Sequence, residues 1–155
     1  MTTIPVVQET HVLPERVLEA AHDFSERRAQ VFPAVSVERL EVHALEGRSA
    51  DVTEGTPVGP FGVNWERCHY DWSRPGSVTA SVTDSNVYEP AESSREIKAT
   101  PNGGGSRVEM IWAREFKRNL RGRAFGTVFR LLGKPIFARY ARDILKNLEQ
   151  LEANP

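Results

Sequence analysis

The chain has 155 residues, of which 39% are hydrophobic and 26% charged, so we expect one globular domain over residues 1–155. A net charge of −1 excludes the broad positive field that recruits nucleic acid, and we expect no nucleic-acid partner. One cysteine, Cys68, excludes an internal disulfide and indicates a reducing compartment.

The N-terminal residues and the overall hydropathy predict where the protein lies. Met1 to Pro5 lack the charged and apolar regions of a secretory signal. No stretch approaches the ~20 apolar residues that a membrane-spanning helix needs. We therefore expect a cytoplasmic protein.

The N-terminal segment predicts one strand and two short helices. Residues 4–12 are rich in β-prone residues. Pro14 suits the first turn of a helix, because the N–H that it lacks is not needed there. A second helix is predicted over 25–32, with Ser25 as its N-cap and Pro33 as its stop.

Residues 35–118 alternate apolar and polar side chains with a period of two, which predicts strands. A change of parity near Glu38 and Arg39 predicts a β-bulge in the first strand. Turn residues separate six strands, at about 35–45, 49–56, 63–73, 77–88, 92–100 and 106–118. Connections this short require antiparallel pairing.

The C-terminal segment predicts helix with a break. At 100° per residue, the apolar residues of 120–132 and those of 137–151 fall on opposite halves of a helical wheel. Since one straight helix cannot bury both halves, we expect a packing helix at 135–152 and a separate or sharply kinked helix at 120–132. The break is expected within Leu132–Pro135, because proline removes a backbone donor.

Three local patterns accompany this order of elements. Thr10–Asp23 is a strand, turn and proline-led helix, Thr100–Met110 is a glycine-rich hairpin, and Phe125–Ala153 is a terminal helix. Together they resemble the START/Bet v 1-like (SRPBCC) superfamily, in particular its polyketide cyclase/dehydrase-like branch. The resemblance implies an α+β helix-grip fold: a curved antiparallel sheet wrapped around a long C-terminal helix, with two short helices after the first strand.

The resemblance also implies a deep hydrophobic cavity between sheet and helix. It does not identify the ligand, because members of the superfamily bind lipids and hormones, cyclise polyketides, bind quinones or act as co-chaperones.

The residues carry no strong catalytic signature. The four histidines lack the spacing of metal ligands, so we expect no metal site, and nothing indicates a cofactor. Cys68 and His69 are neighbours on a strand and therefore point to opposite faces, so a buried structural cysteine is favoured over a nucleophilic dyad. Isolated acid–base candidates are Glu66, Tyr70, His69 and Asp84.

The last strand places a charge on an apolar face. Arg114 shares parity with Met110 and Trp112, and a buried charge needs a partner. Glu66, which shares parity with Tyr70, is the candidate. Two interpretations stay open: Arg114, Glu66 and Tyr70 orient the polar end of a ligand, or Arg114 reaches out to solvent.

The expected ligand site combines this strand with the apolar side of 120–132. Trp65 interrupts the alternation of its strand, so the strand face that lines the cavity stays open. The predicted ligand-binding residues are Glu66, Tyr70, Met110, Trp112, Arg114, Phe125 and Phe129.

Residues 114–134 contain seven Lys and Arg residues but one acidic residue, Glu115. A basic helix with a broad apolar face can contact an anionic membrane surface or an acidic carrier protein, here through Arg121, Arg123 and Arg130. The alternative is a lid over the cavity with a solvated basic back.

Three functions follow from these features. The favoured hypothesis is a non-enzymatic binder of an apolar or amphipathic small molecule, such as a lipid, polyketide or isoprenoid. The second is an aromatase/cyclase or dehydrase that acts on a carrier-tethered polyketide chain without a metal or cofactor. The third is a module that docks on a membrane or protein through the basic segment 114–134.

Overall fold

Seven antiparallel strands form one sheet in the computed structural model, which describes residues 1–154. The strands are β1 (Thr2–Thr10), β2 (Glu41–Glu46), β3 (Ser49–Pro57), β4 (Val63–Asp71), β5 (Ser77–Ser85), β6 (Ser94–Asn102) and β7 (Gly105–Arg114). The helices are α1 (Pro14–Ala21), α2 (Arg28–Val31) and α3 (Leu120–Ala153). The predicted α+β class and helix-grip architecture are confirmed.

The sheet order is β1-β7-β6-β5-β4-β3-β2, so β2 to β7 form a meander. β1, the first strand, pairs along its whole length with β7, from Thr2 opposite Arg114 to Thr10 opposite Ser106. This pairing puts the start of the chain beside the last strand and leaves β2 at the far edge, where all six side chains are exposed.

The hairpin between β6 and β7 shows how the glycine run acts. Gly103 and Gly104 both have positive φ, and they connect the paired residues Asn102 and Gly105. Positive φ at both central residues is the requirement of a type I′ hairpin turn, which glycine meets without steric cost.

The predicted bulge lies elsewhere. Glu38 and Arg39 belong to a single 3-10 turn, Val37–Arg39, that precedes β2. The register instead shifts inside β2, between Val42 and Ala44. The change of parity in the sequence therefore marks the turn that precedes β2, and the irregularity of the strand itself lies further along.

Buried apolar side chains form two clusters on the inner face of the sheet. One joins β1 and β7 to all three helices, through residues such as Ile4, Met110 and Ile144. The other lies on β3, β4 and β5 around Val52 and Val82. The space between these clusters holds the candidate site.

The predicted break at Leu132–Pro135 is wrong, because α3 continues through Pro135 to Ala153. Leu131, whose carbonyl would accept the hydrogen bond that proline cannot donate, lies on the solvent-exposed side of α3. Water can replace the missing donor there.

The buried face of the first half of α3 explains the error. It consists of Gly122, Gly126, Phe129 and Gly133, which continue in phase with the apolar face of the second half. The leucines and valine that form the opposite stripe, Leu120, Val128, Leu131 and Leu132, are exposed. One helix therefore packs along its whole length without burying both stripes.

Candidate functional site

Two pockets lie between the sheet and α3. Counting its opening to solvent, the first measures about 500 Å³, and its walls include Tyr70, Val78, Met110, Trp112 and Ile144. The second measures about 710 Å³, and its walls include Trp65, Tyr88, Trp112, Arg114 and Phe137. Both are also lined by Val35, Glu54, Arg95 and Tyr140. The two pockets therefore adjoin, and each combines apolar walls with a few polar groups, as ligand sites do.

A network of charged side chains stands between the two pockets. Glu54 on β3 accepts hydrogen bonds from Nε of Arg28 and from Nη2 of Arg95. The hydroxyl of Tyr70 donates to Glu54 Oε2 over 2.7 Å and accepts from Nη2 of Arg28 over 3.0 Å. Arg95 Nη2 donates to the same hydroxyl. The network fixes the two arginines and holds the Tyr70 hydroxyl in place.

Arg28 completes its hydrogen bonds with backbone groups. Its Nη1 donates to the carbonyls of Ala21 and Asp23, each over 3.2 Å. Its guanidinium also lies 4.9 Å from the ring centroid of Phe24 and 4.6 Å from that of Phe32, which lie four residues before and after it. A guanidinium that is 3% exposed thus has partners for all its nitrogens.

Arg95 extends the network to Glu66 and Arg114. Nη1 of Arg95 donates to Glu66 Oε1. Arg114 Nη1 lies 3.3 Å from Glu66 Oε2, without the orientation of a hydrogen bond, and the Arg114 guanidinium stacks 4.4 Å from the ring centroid of Tyr88. Arg114 is 4% exposed, so it does not reach out to solvent.

β4 presents Glu66, Cys68 and Tyr70 to the interior. This is the face of the strand that the interruption at Trp65 had left undecided. Trp65 is half-buried and lines the second pocket near one end of β4, before the register shift between Arg67 and Cys68. His69 points outward and contacts Asp51, with Nδ1 3.0 Å from Oδ1. His69 is therefore not in the interior space, and Asp84, an exposed residue of β5, lines neither of the two interior pockets.

The network sets the charge state of its members. Burial acts to raise the pKa of Glu54, but the positive charges of Arg28 and Arg95 and the hydrogen bond from Tyr70 outweigh it and lower the pKa to about 2. Burial raises the pKa of Tyr70, so its phenol stays protonated as a donor. Burial also raises the pKa of the Cys68 thiol, which makes it unreactive.

The structure brings together most of the predicted ligand-binding residues. Tyr70 and Met110 line the first pocket, Glu66 and Arg114 line the second, and Trp112 lines both.

The two α3 phenylalanines of the predicted set line neither pocket. Phe129 is buried between Phe116 and Phe137, and Phe125 packs at the start of α3 against Phe61, with ring centroids 6.4 Å apart. The reason is the phase of α3: its pocket-lining residues, Phe137, Tyr140 and Ile144, come from the second half.

The three arginines of the predicted docking surface differ from one another. Arg123 and Arg130 are exposed. Arg121 donates to Asn64 Oδ1 over 2.9 Å and to the carbonyls of Phe61 and Val63. It therefore ties the start of α3 to the connection between β3 and β4.

Three residues of the network were missed from the sequence. Glu54 has the same parity as buried Ala50 and Val52, and Arg95 has the same parity as Ile97 and Ala99, so alternation along β3 and β6 would have found both. Arg28 has a weaker signal, its spacing of four residues from Phe24 and Phe32.

Within residues 1–154, no three His, Cys, Asp or Glu side chains converge as a set that could hold a metal ion. None of the helices in this part of the chain is both long and apolar enough to cross a bilayer.

Comparisons with known proteins agree with this geometry. The family model described as polyketide cyclase / dehydrase and lipid transport matches residues 1–152. No curated protein sequence matches the chain.

Solved structures share the fold over nearly the whole chain. A Thermus thermophilus protein is 20% identical, with a TM-score of 0.75, and the match covers 99% of this chain and 100% of that one. A START superfamily protein of Mycobacterium smegmatis is 13% identical, with a TM-score of 0.74 and coverages of 96% and 98%. The Zhui aromatase/cyclase of a Streptomyces species is 12% identical, with a TM-score of 0.72 and coverages of 95% and 90%.

Replacing Glu54 with Gln tests the energetic role of the network. Removing one partner of a buried ionic cluster typically costs about 3–5 kcal/mol, so we expect E54Q to lower the free energy of unfolding by that order at neutral pH. The folded pKa of Glu54 lies below the unfolded value of 4.5, so its ionised form stabilises the protein above that pH and loses this effect as the pH falls towards about 2. Urea denaturation at neutral pH and at about pH 3 measures the difference.

The matched control is E46Q, at an exposed carboxylate at the end of β2, which should change the free energy of unfolding little at either pH. A gap between wild type and E54Q that does not narrow at low pH would contradict the assigned charge state.

Proposed function

Because this chain belongs to the polyketide cyclase / dehydrase and lipid transport family, we propose that it binds an amphipathic small molecule, of lipid, polyketide or isoprenoid type, in the two adjoining pockets. The observation that carries this proposal is the combination of apolar walls with one charged edge in two adjoining pockets between the sheet and α3. Trp112 stands at the centre, since it lines both pockets.

The walls and the charged edge have separate tasks in this proposal. The apolar part of the ligand packs against Met110, Trp112 and Ile144, where burial of apolar area provides the binding energy. The polar end faces Glu66 and Arg114. Tyr70 contributes its ring, because its hydroxyl is already bonded to Glu54 and both neighbouring arginines.

A second candidate is an aromatase/cyclase or dehydrase activity on a polyketide chain, supported by the family description and by one atom. Glu66 lines the second pocket, and its Oε2 is a buried carboxylate oxygen without a hydrogen-bond partner, 3.3 Å from Nη1 of Arg114. A carboxylate oxygen in that state can accept a proton from an enolising carbon.

Docking on an anionic membrane surface is the third candidate, and it rests on the exposed side of α3. Leu120 is 86% exposed and Leu131 75%, and the exposed cations Arg123, Arg130 and Lys134 alternate with them. No acidic residue occurs between Phe116 and Arg142, so this face complements an anionic bilayer. The alternative of a lid has less support, because no residue of 120–132 lines either pocket.

Tryptophan emission reports on ligand binding. We expect the neutral apolar probe N-phenyl-1-naphthylamine to bind and quench the emission. W112F should lose a large part of that quenching, because Trp112 lines both pockets whereas Trp65 lines only the second. W72F is the matched control: Trp72 stacks on His22 with ring centroids 4.5 Å apart and lines neither pocket. Equal quenching in wild type and W112F would refute the site, and absence of probe binding would refute the function.

The cyclase candidate predicts turnover. A carrier-tethered poly-β-ketone incubated with the protein should lose water and gain the absorbance of an aromatic ring, and E66Q should reduce the rate by about 100-fold or more. Retained binding of the neutral probe by E66Q is the control for its fold. Product formation at the rate of the buffer blank would exclude this activity.

The docking candidate predicts a steep dependence on salt. Wild type should sediment with phosphatidylcholine vesicles that contain phosphatidylglycerol, and the affinity should fall as salt shortens the screening length to about 8 Å at physiological ionic strength. R123E/R130E should weaken the association by roughly tenfold or more. Arg121 is left out because its replacement would break contacts within the protein.

The control variant is R142E/K146E, which reverses two exposed cations in the second half of the same helix. Equal loss of binding in the two double variants would mean a general charge effect. Association with an acidic carrier protein but not with vesicles would replace the membrane proposal.

A further inference from the structure

The charges inside the protein do not balance. The network contains three guanidiniums, of Arg28, Arg95 and Arg114, and two carboxylates, of Glu54 and Glu66. Four of these side chains are buried and that of Arg95 is 23% exposed. This count leaves one positive charge without a negative partner, and burying a charge without a counter-charge is costly.

Glu96 does not supply the missing negative charge. It lines the first pocket, but its Oε1 accepts from the Ser77 hydroxyl over 2.8 Å and its Oε2 lies 3.8 Å from Nζ of Lys98. Its charge is therefore matched on its own strand.

Of the three guanidiniums, that of Arg114 has the weakest compensation: its nearest carboxylate oxygen, Glu66 Oε2, lies 3.3 Å from Nη1 without hydrogen-bond orientation, and the Glu66 carboxylate is already bonded to Arg95. Arg28 is bonded to Glu54, Tyr70 and two backbone carbonyls, and Arg95 is bonded to both carboxylates. Nε and Nη1 of Arg114 are buried and have no hydrogen-bond partner in the part of the chain that the structure describes. Unpartnered buried donors of this kind need an explanation in a native structure.

The surroundings of Arg114 specify what can fill the gap. Its guanidinium stacks on Tyr88, and the second pocket adds the rings of Trp65, Trp112 and Phe137. An oxyanion that enters this pocket would meet the positive charge of a planar guanidinium in a water-poor place, where charge-assisted hydrogen bonds are strong. A small rotation of the Arg114 side chain would turn its buried Nε and Nη1 donors towards the oxyanion.

We propose that Arg114 binds the anionic group of the ligand, and that the ligand is an amphipathic monoanion such as a carboxylate or an enolate. One negative charge cancels the excess of one positive charge, whereas a neutral ligand leaves it and a phosphate dianion overcompensates it. This inference rests on the proposed function, to which it adds the charge of the ligand and the residue that reads it.

Two fluorescent probes that differ by one anionic group test it. N-phenyl-1-naphthylamine is neutral, and 8-anilinonaphthalene-1-sulfonate has the same aromatic skeleton with one sulfonate. We expect wild type to bind the sulfonate at least about tenfold more tightly than the neutral probe, and R114M to lose about tenfold to hundredfold in sulfonate affinity while its affinity for the neutral probe is unchanged.

R114M should fold, because it leaves two guanidiniums and two carboxylates in the interior, and Glu66 keeps its bond to Arg95. Its ligand-free Tm should equal or exceed that of wild type. A purely structural Arg114 would instead give a lower Tm and no selective effect on the sulfonate.

R123M/R130M is the control for adsorption of the sulfonate to the exposed face of α3. Loss of sulfonate binding in that variant and not in R114M would overturn the assignment. Equal affinity of wild type for the two probes would overturn it as well and leave the proposed function standing, whereas binding of neither probe would refute the proposed function itself.

Discussion

An ionised carboxylate in an apolar interior is stable only when cations and donors surround it, and the centre of this molecule is built around Glu54. Three donors, from Arg28, Tyr70 and Arg95, converge on its two oxygens. They come from α2, β4 and β6, elements that are distant in sequence. The hydrogen bonds therefore hold α2 against the sheet at a fixed place and leave open space on either side. The two pockets are these open spaces, and both are lined by Glu54 and Arg95 of the network.

The same network separates the interior into regions of different chemistry. Around Glu54 every donor and acceptor has a partner, so that region is rigid and offers little to a ligand. Near Arg114, by contrast, several polar atoms have no hydrogen-bond partner, and Tyr88 and Trp112 line the pocket. A ligand would thus find its polar contacts at one end of the space and apolar contacts along the rest, an arrangement that orients it in one direction.

The sequence predicted the sheet well, because alternation and turn residues are local signals. Gly103 and Gly104 define their hairpin with their own backbone preferences, and Pro14 defines the start of α1. The predicted helix break was wrong for a physical reason: the leucines and valine of the first half of α3 are exposed, whereas glycines, which carry no hydrophobic signal, form most of its buried face. A Cβ atom at Gly122, Gly126 or Gly133 of α3 would lie within 3.1 Å of neighbouring atoms, a close approach that hydrophobicity cannot detect.

The residues of the candidate site could be predicted from the sequence only in part, for the same kind of reason. Parity along β7 predicted an inward Arg114 next to Met110 and Trp112, and Glu66 is the partner that parity along β4 suggested. Parity along β3 and β6 would have marked Glu54 and Arg95 as inward, but their pairing with each other and with Tyr70 depends on strand order and curvature and could not be predicted. The same limit applied to Phe125, whose apolar character is evident but whose direction depends on the phase of a helix packed through glycines.

The glycine face of α3 also makes the helix an adjustable wall. A methyl group at Gly126 would lie 3.1 Å from Cγ of Phe116, and one at Gly133 would lie 2.5 Å from Cδ1 of Ile4. A side chain at Gly126 would press on Phe116, whose ring packs on that of Tyr88 at the second pocket, and one at Gly133 would displace the end of the Ile4 side chain on β1. The volume available to a ligand would then change without any change in the residues that touch it. Positions that touch no ligand thus help to set the volume of the pocket, and a search for specificity confined to pocket residues would overlook them.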